Sequence, residues 1–379
     1  MMKKSFACMI ATGLCALPTL SFADSPYFSL KDGDGFKRFS VSAGWLHAMP
    51  QGKANNIFVN TSAKDGTYAV GDVQLDSVTG AIAKTAEGDK AKEKLLNVAA
   101  LGKAIGLVKN DTLTADMSGS AKITSLESWE NPNTGLEAED VDTVGIMLNY
   151  NFTDNLSLEV KAGIPPKVDI KGKGQINAPL IGVATPEGNV GGILGPIANG
   201  LINDIGPIPL DSQIPITNLS KESKAASARA WLPAVELHYQ FGKSGVNKFR
   251  PYVGAGVMYA YFNDLKMNSN IETDLINAGH MVQNVLDGKA GAALDGKKSS
   301  ADPVVKLKAT DTFAPIVTVG ATYDFKPNWF AVGSVSYSKM NNEAKIYVTD
   351  RNTGKELIRA NTKIDIDPLI TYVGIGYRF

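Results

Sequence analysis

The chain has 379 residues, with 38 Lys and Arg against 38 Asp and Glu. That balance offers no basic excess for nucleic acid, and no run of about 18 apolar residues follows the N-terminal region, which excludes spanning helices. Both cysteines, Cys8 and Cys15, lie in the first 23 residues. Neither a disulfide framework nor cysteine chemistry is therefore expected beyond them.

Residues 1–23 read as a cleaved secretory signal peptide. Lys3 and Lys4 supply the positive start, Ser5 to Leu20 is apolar or small, and Ser21-Phe22-Ala23 fits a small-x-small cleavage site. Cleavage there leaves a mature chain starting at Asp24, with 36 basic and 38 acidic residues.

Eight later runs alternate with the period of a two-faced strand. They lie near residues 38–48, 142–152, 156–164, 232–241, 249–262, 314–325, 329–338 and 366–379. Each is about the 9–11 residues that a tilted strand needs to cross a bilayer. One parity carries large apolar residues, with aromatics at the run ends (Tyr150, Phe152, Tyr239, Phe241, Tyr323, Phe325), as interfacial girdles do. The other parity is polar or small and is assigned to the lumen. Its candidates are Ser42, Met147, Asn149, Glu159, Lys161, Glu236, His238, Gln240, Thr318, Thr322, Ser334, Ser336 and Arg378.

Connection lengths alternate too. Turns at 153–155, 242–247 and 326–328 are short, while 49–141, 165–230, 263–312 and 339–363 are long. Short periplasmic turns opposite long external loops predict an all-β fold. It is an eight-stranded antiparallel transmembrane β-barrel in a Gram-negative outer membrane, surrounded by outer-membrane lipid. The loops are expected to carry short helices, near Asp89–Val108 and Ile271–Leu286, and to form no separate domain. The Gly-, Pro- and Ile-rich stretch from Ala178 to Leu219 is expected to be irregular. The chain ends Tyr377-Arg378-Phe379 on an alternating aromatic strand, like the signal by which the assembly machinery recognises such barrels.

An eight-stranded barrel has an interior that side chains fill, which argues against a general porin. Glu159, Lys161, Glu236, His238 and Arg378 are expected to pair as a lumen charge network. In particular, Glu236, His238, Gln240 and Arg378 are expected to bond to one another and close the lower lumen. Pro165, Pro166 and Pro233 lack ladder N–H groups at the loop-side ends of strands three and four, where they mark a place for a lateral opening. Their simpler role is to end the strands. A lipid-modifying enzyme would need a nucleophile and base around His47, His238 or His280. No serine motif or metal-ligand spacing accompanies them, so neither catalysis nor a cofactor is expected. Asp32-Gly33-Asp34-Gly35 lacks the distal acidic ligand of a calcium loop and reads as a turn.

Several strands together resemble one family. Phe39 to Pro50, Asn151 to Lys161, Leu232 to Phe241, Phe249-Arg-Pro-Tyr-Val-Gly-Ala-Gly-Val257, Lys326 to Phe330, and Ile364-Asp-Ile-Asp-Pro368 with Gly374 to Phe379 are similar to the outer membrane protein W (OmpW) family. They follow the family's order and cover about a third of the mature chain. This family includes AlkL-like uptake barrels. The resemblance implies a narrow apolar lumen, passive uptake of small hydrophobic molecules, and lateral release into the bilayer. The chain departs from the family in its first three external loops, which are much longer than usual, and in Lys167, where a His is expected. No residue here is matched to the family's lumen gate. The other class compatible with the sequence is a closed structural or adhesive barrel whose loops bind partners.

Overall fold

The computed structural model describes residues 37–379. The signal peptide and the Asp32–Gly35 turn lie outside the described residues. Eight strands form the barrel: β1 Phe39–Met49, β2 Val141–Asn151, β3 Leu156–Gly163, β4 Ala234–Gln240, β5 Phe249–Met267, β6 Thr312–Lys326, β7 Trp329–Ser338 and β8 Leu369–Arg378. All neighbours are antiparallel. The first strand meets the last through pairs such as Ala43↔Ile375, and β4 meets β5 through Leu237↔Ala255. The sheet closes on itself, so no strand edge faces lipid, where an unpaired backbone group would find no water.

The two faces of the wall follow from the period of two. Val319, Val317, Ile375 and Val373 point outward and are each more than half exposed, whereas Ser42, Thr318 and Ser336 point inward and are buried. Outward aromatics pair near the short turns, across strands in Trp329–Tyr377 with centroids 5.2 Å apart and along the last strand in Tyr377–Phe379 at 5.1 Å. Small residues on the inner parity leave room for larger neighbours. A side chain at Gly254 would collide with the His238 ring, and one at Gly376 with Phe330. The barrel is thus an outer-membrane barrel with an apolar belt and a filled interior.

Above the wall, the long connections are not the irregular loops that their composition suggests. They fold into a packed outer layer with its own sheets. β5 continues to Met267 and pairs there with Ala226–Trp231, which pairs in turn with Lys167–Lys173. A five-stranded sheet joins Pro303–Ala309, Asn341–Asp350, Glu356–Asp365, Ile57–Thr61 and Ser128–Asn131. A four-stranded sheet joins Ile208–Asn218, Gln175–Thr185, Ser120–Thr124 and Gly66–Ala69. The stretch expected to be irregular therefore supplies a hairpin, with Ile181↔Asp211 among its pairs.

The two helices lie close to where the sequence places them, at Ala86–Ala104 and Ser269–Leu286. Ala86–Ala104 begins at Thr85, whose side chain accepts from the Gly88 N–H, and carries Glu87 and Asp89 in its first turn. Ser269–Leu286 is capped by Asn268, which accepts from the Asn270 N–H. One apolar core packs this second helix on the five-stranded sheet (Ile271, Leu275, Val348, Ile358). It runs without a break down to the barrel mouth (Ala48, Met258, Ile370). A second core holds the first helix against the four-stranded sheet through Leu95, Ile123 and Leu210.

This sidedness has a direct test. A tag at Asn189, in the outer layer, should be labelled by antibody on intact cells, and a tag at Ser244, in the turn between β4 and β5, should not. Labelling with the reverse sidedness would invert the orientation.

Candidate functional site

The inward residues divide the lumen into two levels. In the lower half, β3 and β4 present two carboxylates, Glu159 and Glu236, that sit beside one cation. Lys161 Nζ lies 2.6 Å from Glu236 Oε1 and 3.6 Å from Glu159 Oε1. It reaches across the lumen to Thr318 Oγ1 at 2.8 Å and Ser336 Oγ at 3.0 Å. His238 Nε2 lies 3.2 Å from Glu236 Oε2 and 3.7 Å from Glu159 Oε1. Its ring stacks on Tyr252 at 4.9 Å. Asn149 donates to Glu159 at 2.8 Å. Buried charges are tolerable only when paired in this way.

Not every expected partner joins that cluster. Gln240 donates to Thr322 Oγ1 at 2.8 Å, and Arg378 pairs with Asp324 at 2.6 Å while lying over the Phe330 ring. The expectation that Gln240 and Arg378 bond to Glu236 and His238 is corrected. They sit nearer the short turns, where Thr322 and Asp324 of β6 supply their partners. Four residues missing from the sequence reading complete this level. Arg250 is buried and bonded to Asp154 at 3.1 Å. Tyr252, Phe330 and Tyr372 fill the space between the polar groups, with Tyr372 donating to Ser42 Oγ at 3.1 Å. Parity alone would have placed Arg250 and Tyr252 beside Gly254 on the inner face. Only about 40 Å³ of free space remains at this level.

The upper level is different in kind. A cavity of about 300 Å³ lies above Met147, Lys161, Ser334 and Ser336, and its walls are mainly apolar, among them Leu46, Met258, Ile316 and Ile370. It does not stay inside the wall. Residues of the outward parity, Ile146, Ile164, Tyr259 and Tyr261, line the same space as the inward ones.

The reason lies in the ladder between β3 and β4. It ends at Lys161↔Ala234, and pairing between these chain segments resumes only above the wall, at Lys167↔Arg229. Between those pairs run Ala162 to Pro166 on one side and Ala230 to Pro233 on the other. A single backbone bond joins them, from Ala230 N–H to the Pro166 carbonyl at 3.0 Å. Pro165, Pro166 and Pro233 all line the cavity, and none has an N–H to donate. Each side is held by its other neighbour instead: Ile164 donates to Val144, and Tyr259 donates to Pro233. Trp231, beside the gap, has its indole N–H buried without a partner.

The three histidines lie apart. His47 Nδ1 is 2.9 Å from Asp142, and His238 is in the lumen cluster. His280 lies on the Ser269–Leu286 helix, 2.9 Å from Ser299 Oγ, where burial, and then Lys298, lower its pKa. No group of three or more His, Cys, Asp or Glu suited to a metal ion occurs among the described residues. Tyr377 and Phe379 face outward at the lower rim.

The OmpW family model matches residues 290–379, which hold β6, β7 and β8. Outer membrane protein W of Vibrio cholerae is 24% identical over 249 residues, covering 66% of this chain and 79% of that protein. Among solved structures, OprG of Pseudomonas aeruginosa aligns over 90% of this chain and 95% of its own at 13% identity, with a TM-score of 0.45. E. coli outer membrane protein W aligns over 90% and 97% at 15% identity, with a TM-score of 0.29. The resemblance carried by the strand sequences is borne out: this chain is an eight-stranded outer-membrane barrel whose C-terminal segment matches the OmpW family.

Proposed function

We propose that this barrel takes up small hydrophobic molecules passively, admitting them from the loop side into the upper lumen and releasing them sideways between β3 and β4. The observation that carries this reading is the upper cavity, which is lined from both faces of the wall where the ladder is interrupted. The energetics point the same way. Passing downward would break the bonds of Lys161, Glu236 and His238 without replacing them, which costs several kcal/mol. Leaving sideways into acyl chains gains about 0.8 kcal/mol per CH₂ buried.

Replacing Pro166 and Pro233 together by Val should let the ladder extend and slow uptake of an apolar probe into reconstituted vesicles several-fold, with small polar solutes unaffected. A folded double variant with wild-type uptake would remove the seam from the mechanism.

One observation favours the adhesive alternative. Ile193, Leu194 and Ile197 are exposed by 98%, 50% and 66% around the start of the Gly195–Asn203 helix. An exposed apolar cluster of this kind suits a partner surface.

A further inference from the structure

Residues of the outer layer line a second cavity, apart from the one in the barrel. It has a volume of about 170 Å³. Ile358 and Ala360 of the five-stranded sheet form one wall, Ile123 and Leu180 of the four-stranded sheet another, and Leu275 and Ala278 of the Ser269–Leu286 helix a third. Native cores are close-packed, with few voids larger than a water molecule. An apolar cavity of roughly 150 Å³ stays dry and takes up apolar ligands such as benzene. This one is of that size. Several of its lining positions are alanines, among them Ala121, Ala178, Ala278 and Ala360.

Two further features give it a direction and a polar end. The apolar core that contains its walls Ile57, Ile271 and Ala360 is the same one that contains Ala48, Met258 and Ile370 around the upper lumen. At the other side, Thr217 lines both this cavity and an outer groove formed with Pro215, Asn218 and Asp274. Thr217 is 5% exposed, and its Oγ1 is buried with no hydrogen-bond partner. A buried hydroxyl left unpaired is unfavourable, and a ligand atom that pairs with it removes the penalty. The groove beyond carries Glu222 and Asp274 against Lys221, which disfavours an anionic headgroup.

We infer that the outer layer is a binding site for slim aliphatic molecules with one uncharged polar end, such as medium-chain alkanols. The chain occupies the cavity and the hydroxyl bonds to Thr217. This deepens the uptake reading, on which it rests only in making the site a station on the way to the upper lumen. Binding itself is independent of any lateral release.

Trp129 lines the cavity, held by its indole N–H to the Asn177 carbonyl at 2.8 Å, and serves as reporter. The experiment uses the full-length chain in lipid nanodiscs with Trp45, Trp231 and Trp329 replaced by Phe, titrated with 8-bromo-1-octanol. Saturable quenching of Trp129 is expected, with affinity lowered about tenfold by Thr217→Val, the loss of one hydrogen bond. 1-Bromooctane should bind equally to both chains. Ala278→Phe should abolish saturation, and Ala360→Leu should weaken it, which keeps the test decisive where the larger substitution impairs folding. Quenching that rises linearly with the probe in the membrane, or that neither filling variant alters, overturns the site. Equal loss of both probes on Thr217→Val overturns the hydroxyl contact. The Pro166→Val, Pro233→Val chain should keep full quenching. Saturable quenching beside wild-type uptake in that chain would keep this site and reject the seam.

Discussion

Replacing Lys161 by Met should destabilise the folded barrel by about 3–5 kcal/mol, the usual cost of leaving a buried charge without its partner. The lysine side chain is 10% exposed and that of Glu236 is fully buried. Removing the ammonium leaves Glu159 and Glu236 facing each other with His238 as the remaining cationic candidate, and strips Thr318 and Ser336 of a donor. Urea unfolding in lipid vesicles, followed by the gel-shift of the folded band, reads the loss as a lower midpoint. Lys161→Arg should lose less, since it keeps the charge, although the guanidinium fork fits this narrow lumen less well. Unchanged stability in Lys161→Met would mean that the lumen cluster is hydrated rather than paired.

The barrel was legible because lipid outside and a crowded interior inside impose opposite demands on alternate residues. That contrast survives in runs such as Val317-Thr318-Val319-Gly320. β7 was harder to read. Phe330 and Val332 are inward, yet they are as apolar as the outward Ala331 and Val335, so the polar parity shows only from Ser334 on, at Ser334, Ser336 and Ser338. Position along the strand decides which partner an inward polar group finds. Arg378 reaches Asp324 rather than Glu236, and no pattern of period two carries that information.

The strands of the outer layer were illegible for another reason. Ile208–Asn218 contains Pro209 and Pro215, and Gln175–Thr185 contains Pro179, which argue against strands when read locally. Ile208–Asn218 is an edge strand of its sheet, where a missing N–H costs no ladder bond on the open side. The other partners of Gln175–Thr185 begin only at Ile181, beyond Pro179. These prolines therefore stand where the strand has a ladder partner on one side only, and only the sheet order reveals it. The same proline rule marks the interrupted ladder between β3 and β4, because Pro165, Pro166 and Pro233 stand at the ends of strands that the alternation had already defined.

The lipid face offers the other large effect. Val319 lies on β6 midway between Phe313 and Phe325, is 59% exposed, and is flanked by Val253 and Val335 on the neighbouring strands. Six residues of tilted strand rise roughly 14 Å at about 3.3 Å per residue, which places Val319 near the centre of an apolar band about 25 Å tall. Val319→Arg should therefore cost about 2–4 kcal/mol of folding free energy in a bilayer, whereas Phe313→Arg, at the interface, should cost about 0–1 kcal/mol for its charge. The contrast is in depth rather than in residue type, because both positions are outward and the introduced group is the same. A chain tracking through water instead of lipid would show no depth dependence, since an exposed Arg is equally solvated at both places. Equal midpoints for the two variants in vesicles would remove β6 from the membrane face, and with it the placement of the seam on the lipid side of the wall.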